Sequence, residues 1–210
     1  MNTADPTNRS THWETVYTQT ASNTVSWYRD HLEMSFELLD RAGMAPDSRV
    51  IDVGGGASTL VDDLLERGVD HISVLDLSAA SLSVAKTRLG ARASRVAWLT
   101  GDVTRMPLSA GAYTHWHDRA VMHFLTAVAD VRAYAAQAAR AVASGGHAVI
   151  SGFAPGGPER CSGLPVARRS SEEIAALLGP AFVLIESRQE RHRTPGGLEQ
   201  AFSYALLRRV

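Results

Sequence analysis

The feature that most narrows the fold of this chain is the run Val50-Ile51-Asp52-Val53-Gly54-Gly55-Gly56-Ala57-Ser58. The β-branched stretch Arg49 to Val53 reads as a buried strand. The consecutive glycines that end it allow a sharp turn in which the backbone comes close to a ligand. Thr59 to Arg67 follows with helical patterning and is closed by Gly68. A strand, a glycine turn and a helix in this order are the setting in which such a loop acquires meaning, at the carboxyl edge of a parallel sheet.

The rest of the chain repeats the alternation. Residues 25 to 43 carry Trp27, Leu32, Phe36, Leu38 and Leu39 at roughly helical spacing, and Gly43 supplies a stop. His71 to Leu75, Val96 to Leu99, Ala112 to His117 and Gly146 to Phe153 read as further strands. Ser81 to Leu89, the alanine-rich Val128 to Ala143, and Ser171 to Leu178 read as helices, the last with Ser170 or Ser171 as N-cap. Phe182 to Ile185 and Phe202 to Leu207 are late strands linked through Thr194-Pro195-Gly196-Gly197. Alternating strands and helices predict an α/β sheet with helices on both faces. The final pair lacks a crossover and must therefore be antiparallel.

At 210 residues the chain suits one domain with a sizeable core. A net charge of −1 with no Lys/Arg block gives no phosphate-tracking surface, so no nucleic-acid partner is expected. Cys161 is the only cysteine, which fits a reducing, cytoplasmic setting. No apolar run is long enough to span a membrane, and MNTADPTNRS lacks the apolar core of a secretory signal. These first ten residues are polar and are expected to fray.

Three cofactors compete for the glycine loop. A Walker loop needs a Gly-Lys-Ser/Thr ending, and no lysine is present. A dinucleotide fingerprint needs a third glycine where Thr59 stands. Asp52, just before the glycines, would repel a pyrophosphate but attract the ammonium of an amino acid. S-adenosylmethionine carries such an ammonium and no phosphate. Asp76 closes the second strand about 20 residues beyond the glycines, where a carboxylate suits ribose hydroxyls in either cofactor. Asp102 closes the third strand, where an acceptor can take an adenine amino group, with Leu77 and Val103 against the ring faces. Open α/β sheets bind ligands along that edge.

The segments IDVGGGAS, VLDLS, GDVTRMPL and HWHDRAVMHFLT resemble the motifs of bacterial class I, Rossmann-like, S-adenosylmethionine-dependent methyltransferases. The resemblance covers nearly the whole chain. It implies a seven-stranded, mostly parallel sheet of order 3-2-1-4-5-7-6 with strand seven antiparallel and helices on both faces. It divides the single domain into an N-terminal helical lid, residues 1–45, and a methyltransferase core, residues 46–210. It places Asp52, Gly54, Gly55, Gly56, Ser58, Asp76, Gly101, Asp102 and Asp118 at the cofactor. The leader His12-Trp13-Glu14-Thr15-Val16-Tyr17 resembles a segment that folds over the cofactor in relatives, which makes Tyr17 and Trp27 candidate lid residues.

On the acceptor side, Trp116, Arg119, His123, Arg160 and Cys161 are candidate substrate contacts. His123 and His117 are candidate bases near neutral pH, for a thiol or phenol that arrives protonated. Arg119 either binds an anionic acceptor or pairs with a structural carboxylate. Arg160 beside Cys161 would lower the thiol pKa, against the plainer reading of Cys161 as an inert, buried residue. His115, His117 and Asp118 invite a metal, but no third ligand stands at a useful spacing, so none is expected. A small-molecule acceptor is the first expectation, methylated at N, O or S. A protein lysine is the second and a thiol or metalloid the third. Outside the class stand a nicotinamide-dependent oxidoreductase and a non-catalytic cofactor-binding subunit.

Overall fold

The computed structural model describes residues 6–210. In chain order the elements are α1 (Pro6–Gln19), α2 (Glu33–Arg41), β1 (Arg49–Val53), α3 (Leu60–Glu66), β2 (His71–Asp76), α4 (Ala79–Leu89), β3 (Val96–Thr100) and β4 (Tyr113–Arg119). Then follow α5 (Val128–Ala141), β5 (Val142–Phe153), β6 (Arg160–Cys161), β7 (Leu164–Pro165), α6 (Ser171–Leu178), β8 (Phe182–Arg193) and β9 (Glu199–Arg209). Seven strands form one sheet in the order β3-β2-β1-β4-β5-β9-β8, while β6 and β7 make a small separate hairpin. β1 to β5 pair in parallel, and β9 runs antiparallel to both of its neighbours. Once the hairpin is set aside, this is the expected topology.

The sheet has a core on each face because its central strands are apolar on both sides. Val50 and Val74 pack with Leu38 and Leu39 of α2, Leu64 of α3 and Leu82 of α4. Ile51, Val53 and Leu75 pack on the opposite side with Val131 and Tyr134 of α5 and Ile174 of α6. Ser170 caps α6 through a reciprocal box with Glu173.

Four expectations need correction. Residues 6 to 10 are helical rather than frayed, and α1 lies across the end of β2. Glu14 fixes it there: its Oε2 accepts from Ser78 Oγ at 2.7 Å and from Ala80 N at 3.2 Å. The expected helix over 25 to 43 is confined to α2, because distant donors take the carbonyls upstream of it. His192 binds the carbonyl of Ser26, Arg119 that of Trp27, and Thr59 that of Arg29. The alanine-rich helix stops at Ala141 and β5 starts at Val142, ahead of the expected Gly146. β8 reaches Arg193 rather than Ile185. Its charged second half alternates in exposure along the sheet edge, as a strand with one covered face does.

β4 presents two different faces, and this corrects two site assignments. Alternate residues point to opposite sides of a strand. Trp116 and Asp118 turn toward α5, and both are fully buried. Trp116 Nε1 donates to the Tyr134 hydroxyl at 2.9 Å, and that hydroxyl donates to Asp118 Oδ2 at 2.6 Å. Asp118 also accepts from the backbone N–H groups of Val121 and Met122. Its oxygens are thus consumed in holding the turn after β4, so Asp118 is not a cofactor contact and Trp116 is not a substrate contact. Replacing Asp118 by Ala strands three buried donors, and should lower unfolding stability by about 3 kcal/mol in urea denaturation. A loss below about 1 kcal/mol would contradict this role.

Candidate functional site

Two joined cavities open along the carboxyl ends of β1 to β4, beneath α1. The larger spans about 900 Å³ of space not filled by atoms, its opening to solvent included, and the smaller about 500 Å³ on the same measure. Tyr17, Trp27, Gly54 and Arg119 line both and mark the junction.

The smaller cavity is built around the glycine loop. Asp52 is only 2% exposed. His117 reaches it from the neighbouring strand, with Nδ1 2.7 Å from Asp52 Oδ1 and Nε2 2.9 Å from Ser35 Oγ. A carboxylate only accepts, so Nδ1 carries a proton toward Asp52, while Nε2 is paired with the serine hydroxyl. With both ring nitrogens engaged, His117 positions Asp52 and is not a base for an acceptor. Asp52 Oδ2 has no partner. A Cβ at Gly55 would collide with that oxygen, so glycine keeps it approachable. Ser58, Gly55 and Thr59 line the same space, and Ser58 Oγ accepts from Leu60 N.

The larger cavity holds the other acidic ends. Asp76 Oδ1 accepts from Ser78 N at 2.8 Å, and burial pushes its carboxyl up to about 6. A Cβ at Gly56 would stand 2.5 Å from Asp76 Oδ2, and φ there is +28°. Leu77, Gly101, Asp102 and Val103 continue the wall. Asp102 Oδ1 accepts from Thr104 N and Oγ1. Arg9 of α1, absent from the sequence reading, lies 3.7 Å from Asp102 Oδ2 and 3.2 Å from Asp130 Oδ2. Because it belongs to the polar start of the chain, nothing local marked it.

Beyond these carboxylates the wall turns aromatic. Trp13 contacts Phe124 and Trp27 with ring centroids 5.1 and 5.7 Å apart. His123, Phe153 and Phe202 continue as a row, at 4.9 and 5.0 Å. Arg119 closes that row, 4.8 Å over the Phe202 ring. Its Nη1 donates to the Trp27 carbonyl and its Nε to the Tyr204 hydroxyl, while Nη2 has no partner. Burial raises the Tyr17 phenol, with Asp76 adding to the shift.

His123 lines this cavity but is no base near neutral pH. Burial, reinforced by Arg169 and Arg119, pushes its imidazole down to about 3. The Phe153 N–H points at Nδ1 from 3.5 Å, an arrangement that suits a ring proton on Nε2, and Nε2 has no partner. Cys161 also lines the cavity, but burial pushes its thiol up to about 12, opposite to the activated thiolate considered from sequence. Arg160 is exposed, lies outside the cavity wall, and bonds the Gly163 carbonyl, so it is not a substrate contact. Among the described residues no group of His, Cys, Asp and Glu could hold a metal ion.

Residues 50–146 match the family model described as "Methyltransferase domain". The chain is 31% identical over 116 residues to a demethylmenaquinone methyltransferase of Beutenbergia cavernae, covering 55% of this chain and 45% of that protein. It is 28% identical over 95 residues to the mouse eEF1A lysine and N-terminal methyltransferase, covering 45% of this chain and 13% of that one. The chain therefore spans less than half the length of these curated relatives. Among solved structures, one titled "Conversion of a Disulfide Bond into a Thioacetal Group during Echinomycin Biosynthesis" aligns with TM-score 0.76 at 19% identity, covering 96% of this chain and 92% of that one. The N-methyltransferase NodS of Bradyrhizobium japonicum, in complex with S-adenosyl-L-homocysteine, aligns with TM-score 0.71 at 16% identity, over 93% and 97%. At these identities the structural likeness establishes a shared fold.

The histidine shift sets a pH dependence. His123 titrates near 6.5 when unfolded and near 3 when folded, so the unfolded chain binds more protons in between. Its contribution is complete above pH about 6.5 and is lost as pH falls toward about 3. Asp76 and Asp118, raised to about 6, act in the opposite sense between about pH 4 and 6. Comparing wild type with His123→Phe isolates the histidine. Their difference in urea stability should shift against wild type on acidification, by up to about 1.4 kcal/mol per pH unit. A difference independent of pH would contradict the buried neutral imidazole.

Proposed function

We propose that this chain, whose residues 50–146 match a methyltransferase domain, transfers the methyl group of S-adenosylmethionine to a nucleophilic N, O or S atom of a small, largely apolar acceptor. The observation that carries this reading is the division of the joined cavities into an acidic, glycine-lined edge and an enclosed aromatic wall. The residues fit the cofactor. Asp52 Oδ2, buried and unpartnered, suits the ammonium. Asp76 suits the ribose hydroxyls, and Asp102 with Leu77 and Val103 suits the adenine. When bound, the cofactor supplies a sulfonium methyl whose leaving group is a neutral thioether.

The protein's contribution is alignment and exclusion of water. Tyr17 of α1 and Trp27 line the junction where methyl donor and acceptor would meet, Trp13 of α1 lines the larger cavity beside them, and Glu14 fastens α1 there. With His117 bonded on both nitrogens and the His123 imidazole pushed too low to take up a proton near neutral pH, neither histidine suits the role of general base. The wall around Trp13, Phe124 and Phe153 carries no carboxylate to meet a lysine ammonium, and α1 covers the cavity a protein side chain would need to enter. This favours a small molecule over the lysine reading. The demethylmenaquinone relative is named for a small acceptor and the eEF1A relatives for a protein one, so the preference rests on the cavity wall.

Calorimetry should show S-adenosylhomocysteine binding and no binding of NAD, with Asp76→Asn weakening the former about tenfold. Methyl-labelled cofactor should then mark members of a small-metabolite panel and no protein in a lysate. Binding of NAD alone, or label in protein only, would overturn the reading.

A further inference from the structure

Two buried donors on the aromatic wall are left over once every internal contact is counted. Arg119 Nη2 and His123 Nε2 each lack a hydrogen-bond partner, and both residues line the larger cavity. The row His123, Phe153, Phe202 and Arg119 joins them across one wall. Unpaired donors in a dry site cost free energy unless a ligand meets them.

We propose that the acceptor is an acidic thiol or phenol, held as its thiolate or phenolate by Arg119 Nη2, with His123 as a second contact on the same wall, so that the nucleophile is an anion made by the site's charge and not by a protein base. This rests on the small-molecule reading above.

The nearest charges to this wall are cationic, and the carboxylates around it are paired or stand at the cofactor's edge. On β4, Arg119 has no carboxylate partner of its own; its other nitrogens bind a carbonyl and a phenol. Before α6, Arg169 adds positive charge near His123 while bonding the carbonyls of Met122 and Leu125. On β6, the Cys161 thiol stays protonated and neutral. From β8, Glu190 faces the Tyr204 hydroxyl of β9, but Arg29 binds it at 2.7 Å. Asp76 of β2 stands at the cofactor's edge beside Tyr17 of α1, whose phenol is held protonated, and Arg9 of α1 is engaged with Asp102 and Asp130.

Arg119 stands at the junction, so the cofactor's carboxylate is a rival for its free N–H. The acceptor is favoured because the second unpartnered donor, on His123, lines only the larger cavity. The chemistry closes without a base. The acceptor's proton leaves to solvent on binding, and a lone pair of its sulfur or oxygen forms the new bond to the methyl carbon. The pair of the broken carbon–sulfur bond stays on the departing thioether, and the anion's charge cancels the sulfonium's.

The test uses the protein saturated with S-adenosylhomocysteine and the chromogenic acids para-nitrophenol and para-nitrothiophenol, whose anions absorb at longer wavelength. Bound probe should ionise at a pH at least one unit below free probe. The shift should vanish in Arg119→Gln, persist in Arg119→Lys, and shrink in His123→Phe, with S-adenosylhomocysteine affinity within about threefold of wild type in each. In turnover, labelled thiols and phenols should outpace amines. Probe bound in its neutral form, or no bound probe at all, overturns the proposal. So does a loss of S-adenosylhomocysteine affinity in Arg119→Gln with an unchanged probe shift. Preferential labelling of amines overturns it while leaving the small-molecule reading intact; label in protein alone overturns both.

Discussion

The structure depends on how one buried carboxylate is shared. Asp52 sits at the end of the central strand with almost no access to water, a costly position for a charge unless it is bonded. His117, backed by Ser35, satisfies one oxygen and fixes the orientation of the group. The other oxygen stays open only because Gly55 has no side chain. The glycine loop, the neighbouring strand and α2 therefore cooperate to hold a single unpaired acceptor beside a cavity. A site organised this way selects for a cation at that point and against a phosphate.

From that point the polarity of the site falls off in one direction. Acidic strand ends give way to Trp13, Tyr17 and Trp27, and then to an aromatic wall with a cation and a neutral imidazole. The gradient follows from topology. Strands β1 to β3 end in aspartates at one edge, while β4, β5 and β9 bring Arg119, Phe153 and Phe202 to the neighbouring one. α1 covers both, because Glu14 caps the start of α4 and Arg9 reaches the Asp102 and Asp130 carboxylates.

The sheet and its acidic, glycine-lined edge were legible in the sequence because strand, glycine turn and helix are local patterns, with Asp52 and Asp76 near the ends of recognisable strands and Asp102 just beyond a third. What escaped was set by contacts between distant segments. Asp118 reads like its acidic neighbours until the parity of β4 turns it toward Tyr134. His117 reads as a free histidine until it meets Asp52 from the next strand, more than sixty residues away. Arg9 lies in a polar stretch whose helix is held by α4 and not by its own periodicity. The second half of β8 is too charged to read as a strand, and forms one because its partner β9 is apolar and long.

The central claim, that the free oxygen of Asp52 receives the cofactor's ammonium, is tested most directly by a thermodynamic cycle. Wild type and Asp52→Asn would each be titrated with S-adenosylhomocysteine and with its analogue lacking the amino group. A coupling of at least tenfold, about 1.4 kcal/mol, between the carboxylate and the amine is the expected result. Additive losses, with the analogue penalised equally in both proteins, would contradict the account.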